Sequence, residues 1–148
     1  MKKEFVMRGQ TASGLTEVLN FSGYKPGYAY RLVEFEIFPS TNINSQDYDL
    51  SASITAGKTA VAPSDPNFND EGLIATALLK SHSTVIYPVS GMSVINDTFL
   101  ITQNLILMVL NTDSGAHPVN WQCRFVAEKM SGPEEAVANY RQFTISDE

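Results

Sequence analysis

The sequence predicts an all-β domain: an antiparallel β-sandwich of jelly-roll-like form, with eight to ten strands and one short C-terminal helix. Two segments alternate apolar and polar with period two, the spacing of a strand half-buried on one face. In one, Tyr48, Leu50, Ala52, Ile54 and Ala56 stand against Asp49, Ser51, Ser53 and Thr55. In the other, Val119, Trp121, Cys123, Phe125 and Ala127 stand against Asn120, Gln122 and Arg124. Turn residues recur between short apolar runs at the intervals of a sandwich or barrel, and eight strands in two facing sheets make a jelly roll. The run from Leu105 to Leu110 is apolar at every position, which reads as a strand covered on both sides. With the segment from Val119 to Met130 it forms an expected central hairpin, punctuated by Asp113-Ser-Gly-Ala-His-Pro118.

Taken in order, Lys3 to Thr11 and Leu15 to Phe21 are candidate strands joined at Ala12-Ser-Gly14, where glycine permits positive φ. Lys25-Pro-Gly-Tyr28 has Pro second and Gly third, the chemistry of a type II turn. Tyr28 to Phe38 follows as a long strand with Val33, Phe35 and Ile37 expected inward and Pro39 ending it. Gly57 to Glu71, with Pro63 and Pro66, is a long surface loop of the kind that often carries function. The segment from Gly72 to Lys80 has apolar spacing that also fits a helix, but its sheet-rich surroundings favour a strand. Val85-Ile-Tyr-Pro88 is a short strand that Pro88 confines to an edge or an end, Ser90-Gly-Met92 and Asn96-Asp97 are turns, and Thr98 to Thr102 leads to the central strand past a bulge or break at Gln103-Asn104. Pro133, followed by Glu134 and Glu135, opens a helix to about Arg141. Phe143 to Ile145 then reads as a last strand or docking tail.

A chain of 148 residues is most simply one domain, spanning 1–148. Its charged fraction of 18% is low because Ser, Thr, Asn and Gln fill the polar positions, and its net charge of −6 opposes binding to nucleic acid. Glu4 and Arg8 interrupt the N-terminal segment before a signal peptide's apolar core appears, and no run reaches the ~18 residues of a membrane helix. A soluble protein made in a cytoplasm, without a membrane partner, is expected. The single cysteine excludes an internal disulfide, and its place on the apolar side of a strand makes Cys123 a buried structural thiol.

No catalytic or metal set assembles, and no cofactor is predicted. A Gly-x-Ser-x-Gly elbow is absent. His82 and His117 are the only histidines, and a Cys123–His pair would need an exposed thiol. Asp65-Pro-Asn-Phe-Asn-Asp-Glu71 spaces oxygen ligands like the start of a calcium loop. It lacks the glycine at the sixth position, Asp70, and the glutamate at the twelfth, Thr76, and reads as a loop using side-chain turn hydrogen bonds. Glu34 and Glu36 stand about 7 Å apart on one strand face, a glycosidase spacing, but on the side opposite the expected core. Tyr24, Tyr28 and Tyr30 cluster around the Pro-Gly turn and offer rings that could stack on sugars; packing of the turn against the sandwich edge is the plainer use for them.

Three stretches, Ser22-Gly-Tyr-Lys-Pro-Gly-Tyr-Ala-Tyr30, Asn67-Phe-Asn-Asp-Glu-Gly-Leu-Ile-Ala75 and Val119-Asn-Trp-Gln-Cys-Arg-Phe125, resemble segments of small structural proteins of bacteriophages, marine ones especially. These are capsid, decoration or head-associated β-sandwich proteins. The resemblance implies a non-enzymatic subunit of the virion, working as a homo-oligomer and with other virion proteins. It carries over no functional residue. A low charge density suits surfaces that pack against copies of themselves, and function is expected at the polar faces and in the loops from Ser40 to Gln46 and Gly57 to Glu71. The outer side of the Leu105–Leu110 strand is covered either by a neighbouring subunit or by the Pro133 helix. The alternative of another class is a β-sandwich carbohydrate-binding module using Tyr24, Tyr28 and Tyr30.

Overall fold

A computed structural model describes residues 3–21, 27–40, 48–57, 59–81, 90–112, 117–130 and 132–146. Eight strands lie among them: β1 Lys3–Thr11, β2 Thr16–Leu19, β3 Tyr28–Pro39, β4 Tyr48–Thr55, β5 Leu73–Ser81, β6 Ser90–Ile95, β7 Leu105–Asn111 and β8 Val119–Lys129. One helix follows, α1 Gly132–Ser146. The strands form two antiparallel sheets, β1-β8-β3 and β2-β7-β4-β5-β6. They face each other as a jelly-roll-like β-sandwich.

The core is the seam between the sheets. Leu32, Phe35, Val119, Cys123 and Phe125 come from the three-stranded sheet, and Leu50, Ala52, Ile54, Leu105, Leu107 and Val109 from the five-stranded one, all but fully buried. The period-two alternations of β4 and β8 therefore do what their patterns predict, burying every second side chain. The segment that fits helix or strand is β5, paired on both sides by β4 and β6. Trp121 donates its Nε1–H to Thr11 Oγ1 at 2.9 Å, so the indole is buried with its polar end satisfied. Gly9 makes room for it, since a Cβ there would stand 2.9 Å from Trp121 Cζ2.

Several expectations are corrected. β7 and β8 are not a hairpin. Each is an inner strand with a neighbour on both sides, β7 between β2 and β4 and β8 between β1 and β3. The connection between them crosses from one sheet to the other, with Asn111 Nδ2 donating to the carbonyl of His117 at 3.1 Å. β1 and β2 likewise lie in different sheets, and Gly14 turns the chain between them at φ 82°. In β3 a bulge between Leu32 and Glu34 inserts Val33. The bulge shifts the inward set to Leu32, Phe35 and Ile37 and leaves Val33 exposed. It also leaves Arg31 free to meet Glu128 at 3.1 Å.

Ser90 to Met92 begins β6 rather than forming a turn. Gly91 serves close packing here, because a Cβ on it would lie 2.7 Å from Leu79 Cδ1. The final segment, Phe143 to Ile145, continues α1 instead of making a strand. The helix runs on because Gln142 is buried in its last turns, with its Oε1 accepting from the backbone N–H of Thr102 and of Gln103 and from the Thr102 hydroxyl. Gly27 has φ 90°, as the third position of a type II turn requires; Lys25 and Pro26 of that turn, residues 41–46 of the loop after Ser40, the Val85–Pro88 segment, His82 and Tyr24 lie outside the described residues.

Candidate functional site on the outer face of the five-stranded sheet

Side chains of the five-stranded sheet that point away from the core stand in register across it. Thr16, Met108, Ser53, Thr76 and Val94 make one row, and Leu110, Ser51, Leu78 and Met92 the next. Neither row contains a charged residue. The row beyond holds the ion pair of Lys80 Nζ with Asp49 Oδ2 at 3.7 Å. Ile106, Met108 and Leu110 are half-buried, while Met92 is 67% exposed and Leu78, Val94 and Val18 are exposed as well. Of the two covers expected for β7, the helix is not the one: α1 packs through Ala138 on Ala29, Met130 and Leu100.

The loop after β4 is stapled over part of this face. Ser53 donates its hydroxyl to the carbonyl of Val61, and the Val61 N–H donates to Thr55 Oγ1 at 3.2 Å. That explains why Ser53 and Thr55, on the polar side of their strand, are buried. Further on, Asn67 Oδ1 accepts from the Asn69 N–H and Asp70 Oδ1 from the Gly72 N–H, each at 3.0 Å. Asn67 and Asp70 each have a side-chain oxygen engaged in these turns, and no cluster of three metal-ligating residues exists among the described residues. The turns carry Phe68 outward, 65% exposed. Between loop and sheet runs a groove of about 530 Å³, lined by Pro63, Pro66, Phe68, Leu78, Met92 and Leu110 among others. Exposed apolar surface of this kind is open to being covered by a protein, a ligand or a membrane.

The other sequence candidates stand apart from the groove. Glu34 and Glu36 are exposed on the outer face of the three-stranded sheet, Glu34 held by Arg124 Nε at 3.2 Å. Tyr30 is committed to packing, its ring 5.6 Å from Phe5 and 5.1 Å from Phe21; Tyr28 is half-buried two residues before it. His117 and Cys123 lie six residues apart along extended chain, about 20 Å, and form no pair. Burial pushes the Cys123 thiol from 9.0 up to about 12. A thiol reagent at neutral pH is therefore expected to label the folded protein at least about a hundredfold more slowly than the urea-unfolded one. Because the unfolded thiol ionises first, the stability tied to it is present below pH 9 and falls as pH rises toward 12. Sequence reasoning missed Leu78, Met92 and Val94, whose shared face depends on strand pairing.

No protein-family model and no curated protein matches the sequence. Among solved structures, the chain is similar to one in Desmodium yellow mottle tymovirus, with a TM-score of 0.37 and 9% identity over 88% of this chain and 89% of that one. It is similar to one in Cocksfoot mottle virus, with a TM-score of 0.35 and 7% identity over 92% of this chain and 100% of that one. A third likeness is to Bacillus endospore appendages, described as disulfide-linked pili, with a TM-score of 0.31 and 8% identity over 88% of each chain. At these identities no residue role is carried over.

Proposed function

We propose that this chain is a non-enzymatic structural protein of a bacteriophage virion, a capsid or capsid-decoration subunit that works by assembling with copies of itself and with other virion proteins. The observation that carries the reading is the pair of uncharged rows on the outer face of the five-stranded sheet, with a groove bounded by the Lys80–Asp49 ion pair and with exposed Met92, Leu78, Val94 and Phe68. Water contact with this surface is unfavourable by roughly 25 cal/mol for each Å² that a partner would cover. The groove presents hydroxyls and apolar groups, with Asp49 and Lys80 paired to each other at 3.7 Å, a lining that suits packing.

Light scattering after size exclusion, across a concentration series, tests the reading. The parent is expected to run as an oligomer. Met92→Asp, which places a carboxylate on β6 beside Leu78 in the groove lining, is expected to weaken association by about tenfold or more. The subunit itself is expected to stay folded by circular dichroism, since Met92 is 67% exposed. A parent that stays monomeric at high concentration and is absent from virus particles would sink the proposal.

A further inference from the structure

We propose that β1 is a self-complementary edge through which two copies of this chain join, antiparallel about a twofold axis at Val6, so that two three-stranded sheets become one of six strands. The inference rests on the self-assembly reading but uses a different surface from the Met92 groove. Among the described residues β1 pairs only with β8, and its other side is open. The strand is nine residues long and carries neither a proline nor a bulge. Every second residue of such an edge aims its N–H and C=O outward, ready for another strand.

The order of side chains selects the occupant and the register. Glu4, Val6 and Arg8 share the outer face, and every residue of β1 but Thr11 is exposed or half-buried. Arg8 makes no ion pair among the described residues. Among the described residues Glu4 pairs only with Arg124, at 3.8 Å, while that guanidinium is closer to Glu34, at 3.2 Å. Facing residues of antiparallel strands must point to the same side, so allowed registers step by two. Centred on Val6, Glu4 faces Arg8 of the second copy, Arg8 faces Glu4 of the second copy, and the two Val6 side chains meet. On the inner side Phe5 faces Met7 of the second copy, a favourable sulfur–aromatic pairing. Centring on Phe5 puts Glu4 opposite Val6. Centring on Met7 puts Val6 opposite Arg8, and centring on Arg8 sets like charges against each other. The Val6 register alone matches both charges and both apolar positions, and a twofold contact of this kind satisfies both copies at once.

The test uses the full chain carrying Val6→Cys. Across the axis the two introduced thiols would sit about 4.5–5.5 Å apart at Cβ, near enough for a disulfide with slight adjustment, and Cys123 stays silent because it is buried. Mild oxidation is expected to give a covalent dimer on a non-reducing gel, whereas Gln10→Cys, four residues from the axis, stays monomeric. Arg8→Glu and Glu4→Arg are each expected to raise the dimer dissociation constant by about tenfold, because both symmetry-related pairs become repulsive. The double variant Glu4→Arg, Arg8→Glu is expected to return to within about threefold of the parent. Circular dichroism confirms that each variant is folded. No disulfide at position 6, equal crosslinking at position 10, or a double variant as weak as the singles overturns the proposal. If Val6→Cys fails to crosslink while Met92→Asp still disperses the oligomer, the β1 contact falls and the assembly reading stands.

Discussion

Replacing Phe125 by alanine is expected to lower folding stability by about 3–5 kcal/mol. Phe125 is wholly buried in β8, the middle strand of its sheet. Its ring stacks on Phe5 at 5.3 Å and meets Phe21 edge-on at 5.2 Å, and its backbone pairs with Phe5 of β1 and Leu32 of β3. The side chain thus ties the first strand, the segment after β2 and the third strand together. Truncation removes the apolar transfer energy and leaves a cavity whose walls belong to two hydrogen-bonded sheets, which cannot close over it. Since a domain of this size is stable by only about 5–15 kcal/mol, the loss is a large share of the total. Urea denaturation measures it. A shift below about 1 kcal/mol would mean that the aromatic cluster is not the centre of the fold, whereas Phe125→Leu is expected to recover more than half.

The second large effect is local. Gln142 is 1% exposed and holds α1 to the sandwich by four hydrogen bonds, three accepted by Oε1 and one donated by Nε2 to the carbonyl of Gln103 at 3.2 Å. Gln142→Ala strands two backbone N–H groups at once, and each buried donor left without a partner costs about 1–3 kcal/mol. The remaining hold of the helix is the small cluster of Ala138, Ala29, Met130 and Leu100. Released from Gln142, α1 is expected to open as a unit while the sheets stay closed. Amide exchange should accelerate about a hundredfold or more along α1, with β8 unchanged. Gln142→Glu keeps the accepting oxygens but loses the Nε2 donor and buries a charge, so it is expected to open the helix as well. Unaltered exchange in α1 of the alanine variant would refute this role.

How far the fold is legible in the sequence depends on what each element leans on. β4 and β8 are legible because each buries one face, and period two follows directly from that. The inward set of β3 is not, because the bulge at Val33 breaks the alternation to serve the pairing with β8, a partner more than eighty residues away. Gly91 looks like turn chemistry, yet its missing side chain makes room for Leu79 on the adjacent strand. The supposed hairpin fails for a related reason: two neighbouring apolar segments can pair with each other or face each other across a core, and periodicity is the same in both. The candidate site was half visible. Ile106, Met108 and Leu110 announce an apolar outer side on β7, but Leu78, Met92 and Val94 join them only through the order β7-β4-β5-β6, which no local pattern encodes.

The position of β8 has a further consequence, for the timing of folding. Its register joins Lys3 to Ala127 and Tyr28 to Lys129, so neither β1 nor β3 has a neighbour within its own sheet until the last strand is made. Contacts of such long sequence separation fold slowly. During synthesis β1 must wait, without its partner strand, until β8 has left the ribosome more than a hundred residues later. Its outer edge therefore exists as a strand only once β8 is in place, and a partner that reads that edge would take up chains that carry β8 and pass over those that stop before it.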